Sequence, residues 1–355
     1  MTTAPSLSRR SAPRRRTLRV GRRIAVPVHV SALVAGLLTV VLLGAVAVAT
    51  LSMGRLGIAV PDLPDAVLGR ATGKDAFVFD RLRGPRLSVA IATGAAFGLS
   101  GALFQSVTRN PLGSPDVIGL GAGAGAGAAT VALFLPDVLP ASVGALLGAL
   151  LAMGLVYVST GTGFRSPGRL VVAGIGVAAM ATAITQYVVY AVERDKASAL
   201  TAYVNGSLAA RSWDDATIIW AVLLCCLPLA ALLARPLAVG EMGDDLSTGL
   251  GASPARTKTG AVLLSIVLSA GAVSVAGPIA FISLTAPQIA KRITRTTGPQ
   301  LVVSTLLGAL LLVAADLAAQ QLPLFDDLPV GIYTMAVGGC YLGYLLVREW
   351  RQQPA

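Results

Sequence analysis

Charge and histidine are scarce in this sequence. Only 13% of its residues are charged, against about 25% in soluble domains, and His29 is the single histidine. Because this only histidine opens the first apolar run, neither a histidine-based catalytic dyad nor a histidine metal cluster is available. The three cysteines all fall in apolar segments without metal-site spacing, which is typical of small hydrophobic side chains. The sequence therefore argues against an enzyme and predicts no catalytic, cofactor-binding or metal-binding residues.

Apolar sequence is abundant instead. The chain is 55% hydrophobic, with a mean hydropathy of +0.75, and apolar runs of roughly spanning length, about 17–25 residues, recur along it. A transmembrane β-barrel is disfavoured because its strands would alternate apolar and polar residues. We predict an all-α polytopic membrane protein with about ten transmembrane helices, the eighth of them short. The predicted spans lie near 28–50, 87–107, 117–135, 140–158, 169–191, 216–234, 260–276, 278–290, 300–318 and 330–347.

The net charge of +11 reflects membrane topology rather than nucleic-acid binding. Lys and Arg concentrate in the N-terminal segment and in the loops on its side of the membrane, which by the positive-inside rule is the cytoplasm. We therefore expect an inner-membrane protein with both termini cytoplasmic. A cleaved signal is the alternative for the arginine-rich start, but the run that follows has full spanning length. Residues 1–27 are predicted to be a disordered arm near anionic lipid, 28–348 a single transmembrane domain, and 349–355 a cytoplasmic tail.

Two cytoplasmic loops have a composition that a simple connection does not need. The first, residues 109–116, contains two prolines, each of which fixes a backbone angle and lacks an N–H donor. The second, residues 237–254, is too polar to span a membrane and too rich in Leu, Met and Val for a plain linker. It suits two short helices, one capped by Asp244 and one ending at Gly251, that dock a cytoplasmic partner. A loop packed on its own spans fits the pattern equally well.

Glycine and proline mark two features inside the spans. Gly119, Gly123 and Gly127 recur every four residues, a spacing that lets membrane helices approach closely. A dinucleotide-binding loop is disfavoured because no strand precedes these glycines. Gly277 and Pro278 interrupt an apolar run and predict a helix break, which a membrane protein tolerates where protein or a cavity satisfies the freed carbonyls.

The chain has no evident energy source of its own. Residues 69–75 differ from a nucleotide-binding P-loop, because the glycine spacing is one short and no Ser or Thr follows the lysine. The interiors of the predicted spans lack almost all ionisable residues, which ion-coupled transporters usually keep at depth. This pattern favours a membrane subunit driven by a partner. A self-sufficient secondary transporter is the rival from a different class.

Several motifs together resemble a known family. They comprise residues 98–119, the 240–251 loop, residues 275–281 followed by Ala286-Pro287, and residues 328–331. In this order they resemble permeases of iron–siderophore, haem and vitamin B12 ABC importers, and the 109–116 loop looks most like ferric-enterobactin-type permeases. The resemblance covers the chain from about residue 80 to its end. It implies a vitamin B12 importer permease-like fold that carries ferric siderophore by alternating access, with haem or cobalamin as alternative cargo.

The resemblance also implies partners. These are ABC ATPase subunits that bind ATP and magnesium, a second permease of the same or a different chain, and an extracytoplasmic substrate-binding lipoprotein. The sequence departs from the family pattern at Gly84, where Leu is usual, at Gln288, where His is common, and at Gln320, where an arginine is expected. The implied site residues are Glu241, Met242, Gly243, Asp244, Leu250 and Gly251 for ATPase coupling, Arg83 and Arg86 for binding-protein docking, Arg109, Asn110, Pro111, Leu112, Gly113 and Pro115 for the cytoplasmic family loop, and Gly277 and Pro278 for the helix break.

Overall fold

The computed structural model of the protein describes residues 15–20, 24–116, 118–136, 138–161, 167–191, 201, 203–296, 298–322 and 328–350. This part of the chain is nearly all helical, and each predicted span coincides with one helix, which confirms the all-α fold. The helices are α1 (Val30–Ser52), α2 (Gly84–Thr108), α3 (Leu120–Phe134), α4 (Ala141–Ser159), α5 (Pro167–Ala191), α6 (Trp213–Gly240), α7 (Pro254–Ala276), α8 (Ile282–Thr294), α9 (Leu301–Gln321) and α10 (Val330–Trp350).

Length and composition distinguish these helices. Within the described residues, α1, α2, α4, α5, α6, α7 and α9 are the seven that are long and apolar enough to cross a membrane. The apolar α3 is shorter, with 15 residues. The predicted short span is α8, which has 13 residues and starts four residues later than expected. The later start follows from the backbone between Gly277 and Phe281, which both have positive φ and so cannot extend a helix.

The two ends of the chain differ from expectation where the structure describes them. In the arm predicted to be disordered, Arg15–Val20 (β1) pairs antiparallel with Ile24–His29 (β2). Both segments contain β-branched residues, which favour extended backbone, and ten of their positions, 15–20 and 24–27, lie in the arm for which disorder was expected. At the other end, α10 extends into the predicted tail as far as Trp350. Residues 1–14, 21–23 and 351–355 lie outside the described part.

Helix α2 is the centre of the fold. It is almost wholly buried, whereas α1 is largely exposed, and α2 packs against α6, α7, α8 and α9. Gly94 and Gly98 bring its backbone against α9, where Gly308 makes the reciprocal approach. Ser100 bonds the hydroxyls of Ser265 and Ser269 on α7. Small residues and serine bonds are typical of close helix contacts in membranes, where no water drives association.

The predicted glycine-mediated packing of α3 is confirmed for two of its three glycines. A Cβ on Gly123 would lie 2.7 Å from the Gly148 carbonyl oxygen, and one on Gly127 would lie 2.1 Å from the Gly144 carbonyl oxygen. Both partners belong to α4, so the two backbones are in direct contact. Gly119 has a different role, because it precedes α3 with φ +91 and packs on α5. No larger residue fits at Gly123 or Gly127 without separating α3 from α4.

Candidate functional site

Residues 241–251 connect α6 to α7 and contain the residues that the family resemblance implies for ATPase coupling, so they are named the coupling segment. The predicted end of the sixth span near residue 234 is wrong, because α6 continues through Pro228 and Pro236 to Gly240. Each proline removes one backbone hydrogen bond, and the apolar run around them maintains the helix. The predicted pair of short helices is also wrong, since one helix, Asp244–Gly249, occupies the segment. Its N-cap is Gly243, with φ +111, so Asp244 lies in the first turn rather than at the cap.

The coupling segment exposes three large apolar side chains. Met242, Leu246 and Leu250 are 65%, 63% and 67% exposed. A segment packed on its own spans would bury these residues. Grouped exposed apolar residues beside charged ones are typical of a surface that binds another protein. The structure therefore favours docking over self-packing, two interpretations that the sequence could not separate.

Asp244 has two cationic partners. Its carboxylate accepts hydrogen bonds from Arg109 Nη2 at 2.7 Å and from Lys258 Nζ at 2.6 Å. Arg109 Nη2 also donates to the Gly240 carbonyl oxygen at 2.6 Å. The Lys258 hydrogen bond, reinforced by Arg109, holds the pKa of the Asp244 carboxyl below its usual range. Because the pKa is lowered, the pairs are lost only as pH falls below about 4, and they persist at neutral pH.

The 109–116 loop is a closed turn that begins where α2 ends. Arg109, the C-cap of α2, has a left-handed backbone with φ +50. The Asn110 side-chain oxygen accepts from the Leu112 N–H at 2.9 Å, and the Asn110 carbonyl accepts from the Gly113 N–H at 3.0 Å. With the two prolines, these bonds leave the loop few free dihedral angles. The loop therefore presents Arg109 to the coupling segment in a fixed position.

Gln288 joins the 109–116 loop to α8. Its Nε2 donates to the Pro111 carbonyl oxygen at 3.1 Å and to Gln105 Oε1 at 2.7 Å. Gln105 in turn donates to the Leu284 carbonyl oxygen at 3.1 Å. Both glutamines are buried, and buried amides are retained where their hydrogen bonds are satisfied. The residue that departs from the family pattern thus links three elements, α2, α8 and the loop.

The backbone between α7 and α8 turns sharply at the position predicted for a helix break. Gly277 has φ +75 and Phe281 has φ +70. The Ala276 carbonyl oxygen at the end of α7 accepts from the Ser207 N–H at 2.9 Å. A Cβ on Gly277 would lie 2.2 Å from the Tyr203 carbonyl oxygen, so the residue must be glycine. Neighbouring backbone thus satisfies the interrupted helix, as broken membrane helices require.

A cavity of about 300 Å³ lies beside this break. Residues from α3, α5, α10, the break and positions 204–205 line it, and among the described lining residues Asp116 alone is ionisable. Ser283, in the first turn of α8, donates a hydrogen bond to the Asp116 carboxylate. Burial raises the pKa of Asp116 to about 6, although the Ser283 hydrogen bond opposes the rise. The last residue of the 109–116 loop therefore reaches the cavity.

The two arginines implied for binding-protein docking have partners within the chain. Arg86 donates through Nε and Nη2 to both carboxylate oxygens of Asp316, at 2.7 to 3.0 Å. Asp316 is 1% exposed and also accepts from Gln320 at 2.7 Å. Arg83 donates to the Thr50 carbonyl oxygen at 2.5 Å. Arg86 thus neutralises a buried carboxylate of α9, and its Nη1 is not used by these bonds.

The predictions did not assign roles to three residues that make these contacts: Asp116, Ser283 and Lys258. Asp116 offered a signal, since it is an acidic residue directly after the second proline of the loop and before an apolar run. Ser283 and Lys258 offered none, because serine in a helix and lysine near a helix start are common. Their partners lie 167 and 14 positions away along the chain.

A family model covers all ten of these helices except the last two residues of α10. The model of the FecCD transport family matches residues 22–348. The chain belongs to the FecCD transport family. Membership confirms the resemblance drawn from the motifs, and it places this FecCD protein among multi-pass permeases of iron-chelate ABC transporters rather than among enzymes.

Individual FecCD relatives agree with this placement. The ferric enterobactin transport system permease protein FepG of Escherichia coli strain K12 is 38% identical over 81% of this chain and 88% of its own length. The Fe(3+)-citrate import system permease protein YfmE of Bacillus subtilis strain 168 is 34% identical over 90% of this chain and 97% of its own. A solved structure described as a metal-chelate type ABC transporter in an inward-facing conformation matches with TM-score 0.76 at 22% identity, covering 89% of this chain and 99% of that one.

Proposed function

We propose that this protein is the permease subunit of an ATP-driven importer that moves a ferric siderophore across the cytoplasmic membrane by alternating access. The coupling segment is the observation that carries the proposal. It exposes Met242, Leu246 and Leu250, yet Asp244 holds it to Arg109 and Lys258. A surface that is apolar, exposed and fixed in position is suited to a partner that binds and displaces it.

The coupling segment is the contact for the ATPase subunits. ATP and magnesium bind to those partners, and this chain carries no cofactor. When ATP closes the ATPases, the displacement of the coupling segment rocks the spans and opens the cavity to the cytoplasm. The residues proposed to make this contact are Glu241, Met242, Gly243, Asp244, Leu250 and Gly251.

A second permease completes the pathway. α5 and α10 both line the cavity and both carry large apolar side chains that this chain leaves exposed. A second copy, or a different permease chain, covers these faces, while lipid covers α1. The large exposed apolar residues on the two helices are Val172, Ile175, Met180, Ile184, Tyr187, Tyr190, Met335, Val337, Tyr344 and Val347.

Ferric siderophore is the proposed cargo, because relatives that match most of the chain are named for ferric enterobactin, iron(III) hydroxamate and iron(III) citrate. Within that class we propose an enterobactin-type chelate. Its support is the 38% identity to the enterobactin permease, together with the likeness of the 109–116 loop.

Reconstitution tests the proposal directly. The permease, its ATPase and its binding protein are placed in proteoliposomes, and uptake of radioiron-labelled ferric enterobactin, ferric citrate and a ferric hydroxamate is measured. We expect uptake of at least one chelate that requires ATP and both partners. Uptake by the permease alone, driven by an ion gradient, would instead establish a secondary transporter. A matched run with a non-hydrolysable ATP analogue controls for passive leakage.

Docking of the binding protein gives a second test. A charge reversal at Arg83 gives a clearer result than one at Arg86. Reversing Arg86 would also leave the buried Asp316 without its cation, which by itself destabilises proteins. Arg83 donates to the backbone carbonyl of Thr50 and forms no salt bridge within the described part of the chain. We expect Arg83→Glu to weaken docking about tenfold or more, as removal of interfacial charge pairs does, measured by surface plasmon resonance. Arg70→Glu, a reversal at an exposed outer position, is the control, and equal affinity of both variants would contradict the prediction.

A further inference from the structure

The coupling segment is bonded to the 109–116 loop as well as to its own neighbours in sequence. Arg109 contacts both the last residue of α6, Gly240, and the first residue of the short helix, Asp244. Arg109 and Asp244 are 44% and 48% exposed, and ion pairs this exposed contribute little to stability. The contact of Arg109 with Asp244 therefore fixes the position of the coupling segment relative to the 109–116 loop more than it stabilises the fold.

The same loop is bonded to α8 at two points. Asp116 accepts from Ser283 in the first turn of that helix, and Pro111 accepts from Gln288 one and a half turns further on. The first turn of α8 follows the helix break directly and adjoins the cavity. Two bonds on successive turns fix the loop to α8 against both sliding and rotation.

The loop between these ends is stiff. Two backbone-capping hydrogen bonds and two prolines constrain its eight residues. The left-handed backbone of Arg109 marks the junction with α2, a conformation that non-glycine residues adopt only when neighbouring contacts hold it. A loop of this kind transmits a displacement that a flexible loop would absorb.

We propose that the 109–116 loop is a strut that carries movement of the coupling segment to α8 and so to the cavity wall. Arg109, Asp116 and Gln288 are positioning residues in this proposal, since they act through Asp244 and α8 rather than on ATP or cargo. The inference rests on the proposed function and deepens it. It names the internal route by which the ATPase partner reaches the pathway.

A second route exists in the chain and must be separated from the strut. The coupling segment continues into α7, and α7 ends at the helix break on the opposite side from α8. If α7 alone carries the movement of the coupling segment to the cavity, the bonds at Arg109 and Ser283 are not needed for this transmission. If the strut carries it, breaking either end interrupts the same connection.

A double-mutant cycle in the complete transporter distinguishes the two routes. Arg109→Ala removes the contact with the coupling segment, Ser283→Ala together with Gln288→Ala removes both contacts with α8, and a combined variant carries all three changes. For each we measure the ratio of ATPase activity with and without binding protein loaded with ferric enterobactin, ferric citrate or a ferric hydroxamate. We expect each of the first two variants to lower this ratio about five- to tenfold and the combined variant to lower it no further. Arg109→Lys, which keeps the charge, is expected to restore most of the ratio.

Ser304→Ala is the matched control, because Ser304 is buried on α9 and its hydroxyl bonds no group in the described structure. Thermal melting of each variant shows whether a loss comes from unfolding. An unchanged ratio in Arg109→Ala, or losses that multiply in the combined variant, overturns the strut. A wild-type complex that no loaded binding protein stimulates overturns the proposed function and the strut with it.

Discussion

Asp244→Arg is expected to reduce chelate uptake to the level of cells that lack the permease, while the protein remains in the membrane. The substitution replaces a carboxylate that bonds Arg109 and Lys258 with a third cation at the same place. Repulsion then drives the short helix away from the position in which it meets the ATPase. Stability changes little, because the original pairs are half exposed and such pairs are worth about 1 kcal/mol or less.

Asp245→Arg is the matched control for this variant. It makes the same charge reversal one residue later, at an exposed position that forms no salt bridge in the described structure. We expect it to retain most of the uptake, measured with radioiron-labelled chelate, and both proteins to appear equally in membrane fractions. Normal uptake by Asp244→Arg would contradict the assignment of the coupling segment. Equal loss in both variants would assign the effect to surface charge rather than to the ion pairs.

Gly101→Ala is expected to prevent stable folding, although it adds a single methyl group. A Cβ at this position would lie 1.7 Å from the carbonyl oxygen of Ser283 and 2.5 Å from its carbonyl carbon. Both atoms are backbone, so no side-chain rotation relieves the clash, and α2 and α8 must separate. Overpacking a core typically costs about 1–3 kcal/mol, and we expect the upper end or more. The measurement is the melting temperature of the purified protein and its yield from membranes.

Gly154→Ala makes the same chemical change at a position where it should not lower the melting temperature. Gly154 lies inside α4, and no atom is within 4 Å of the Cβ that alanine would add. Alanine has a higher helix propensity than glycine by about 1 kcal/mol, so this variant should melt at the wild-type temperature or slightly above it. Equal melting temperatures for Gly101→Ala and Gly154→Ala would show that α2 and α8 do not touch as described.

Features that depend on residues close together in the sequence were predictable. The lengths of the apolar runs located ten helices, and Gly277 followed by Pro278 marked the sharp turn between α7 and α8. The end of α6 was missed, because proline is an ambiguous signal. Proline ends a helix that few other interactions stabilise, yet α6 continues through Pro228 and Pro236 within a long apolar run. Two short helices were predicted in this loop, where the structure has one at Asp244–Gly249, since six residues carry too little periodicity to define a helix.

Features that depend on distant residues came only from packing. Arg86 and Asp316 are separated by 230 positions, and Arg109 and Asp244 by 135. Composition and periodicity report which side of a helix is apolar, but they do not report which helix lies opposite. The run of apolar residues between polar loops thus made this chain a helical membrane protein, and its motifs indicated the family. The packing of α2 against α8 decided that the stiff 109–116 loop lies between the coupling segment and the cavity, because only close backbone contact brings those elements within hydrogen-bonding distance.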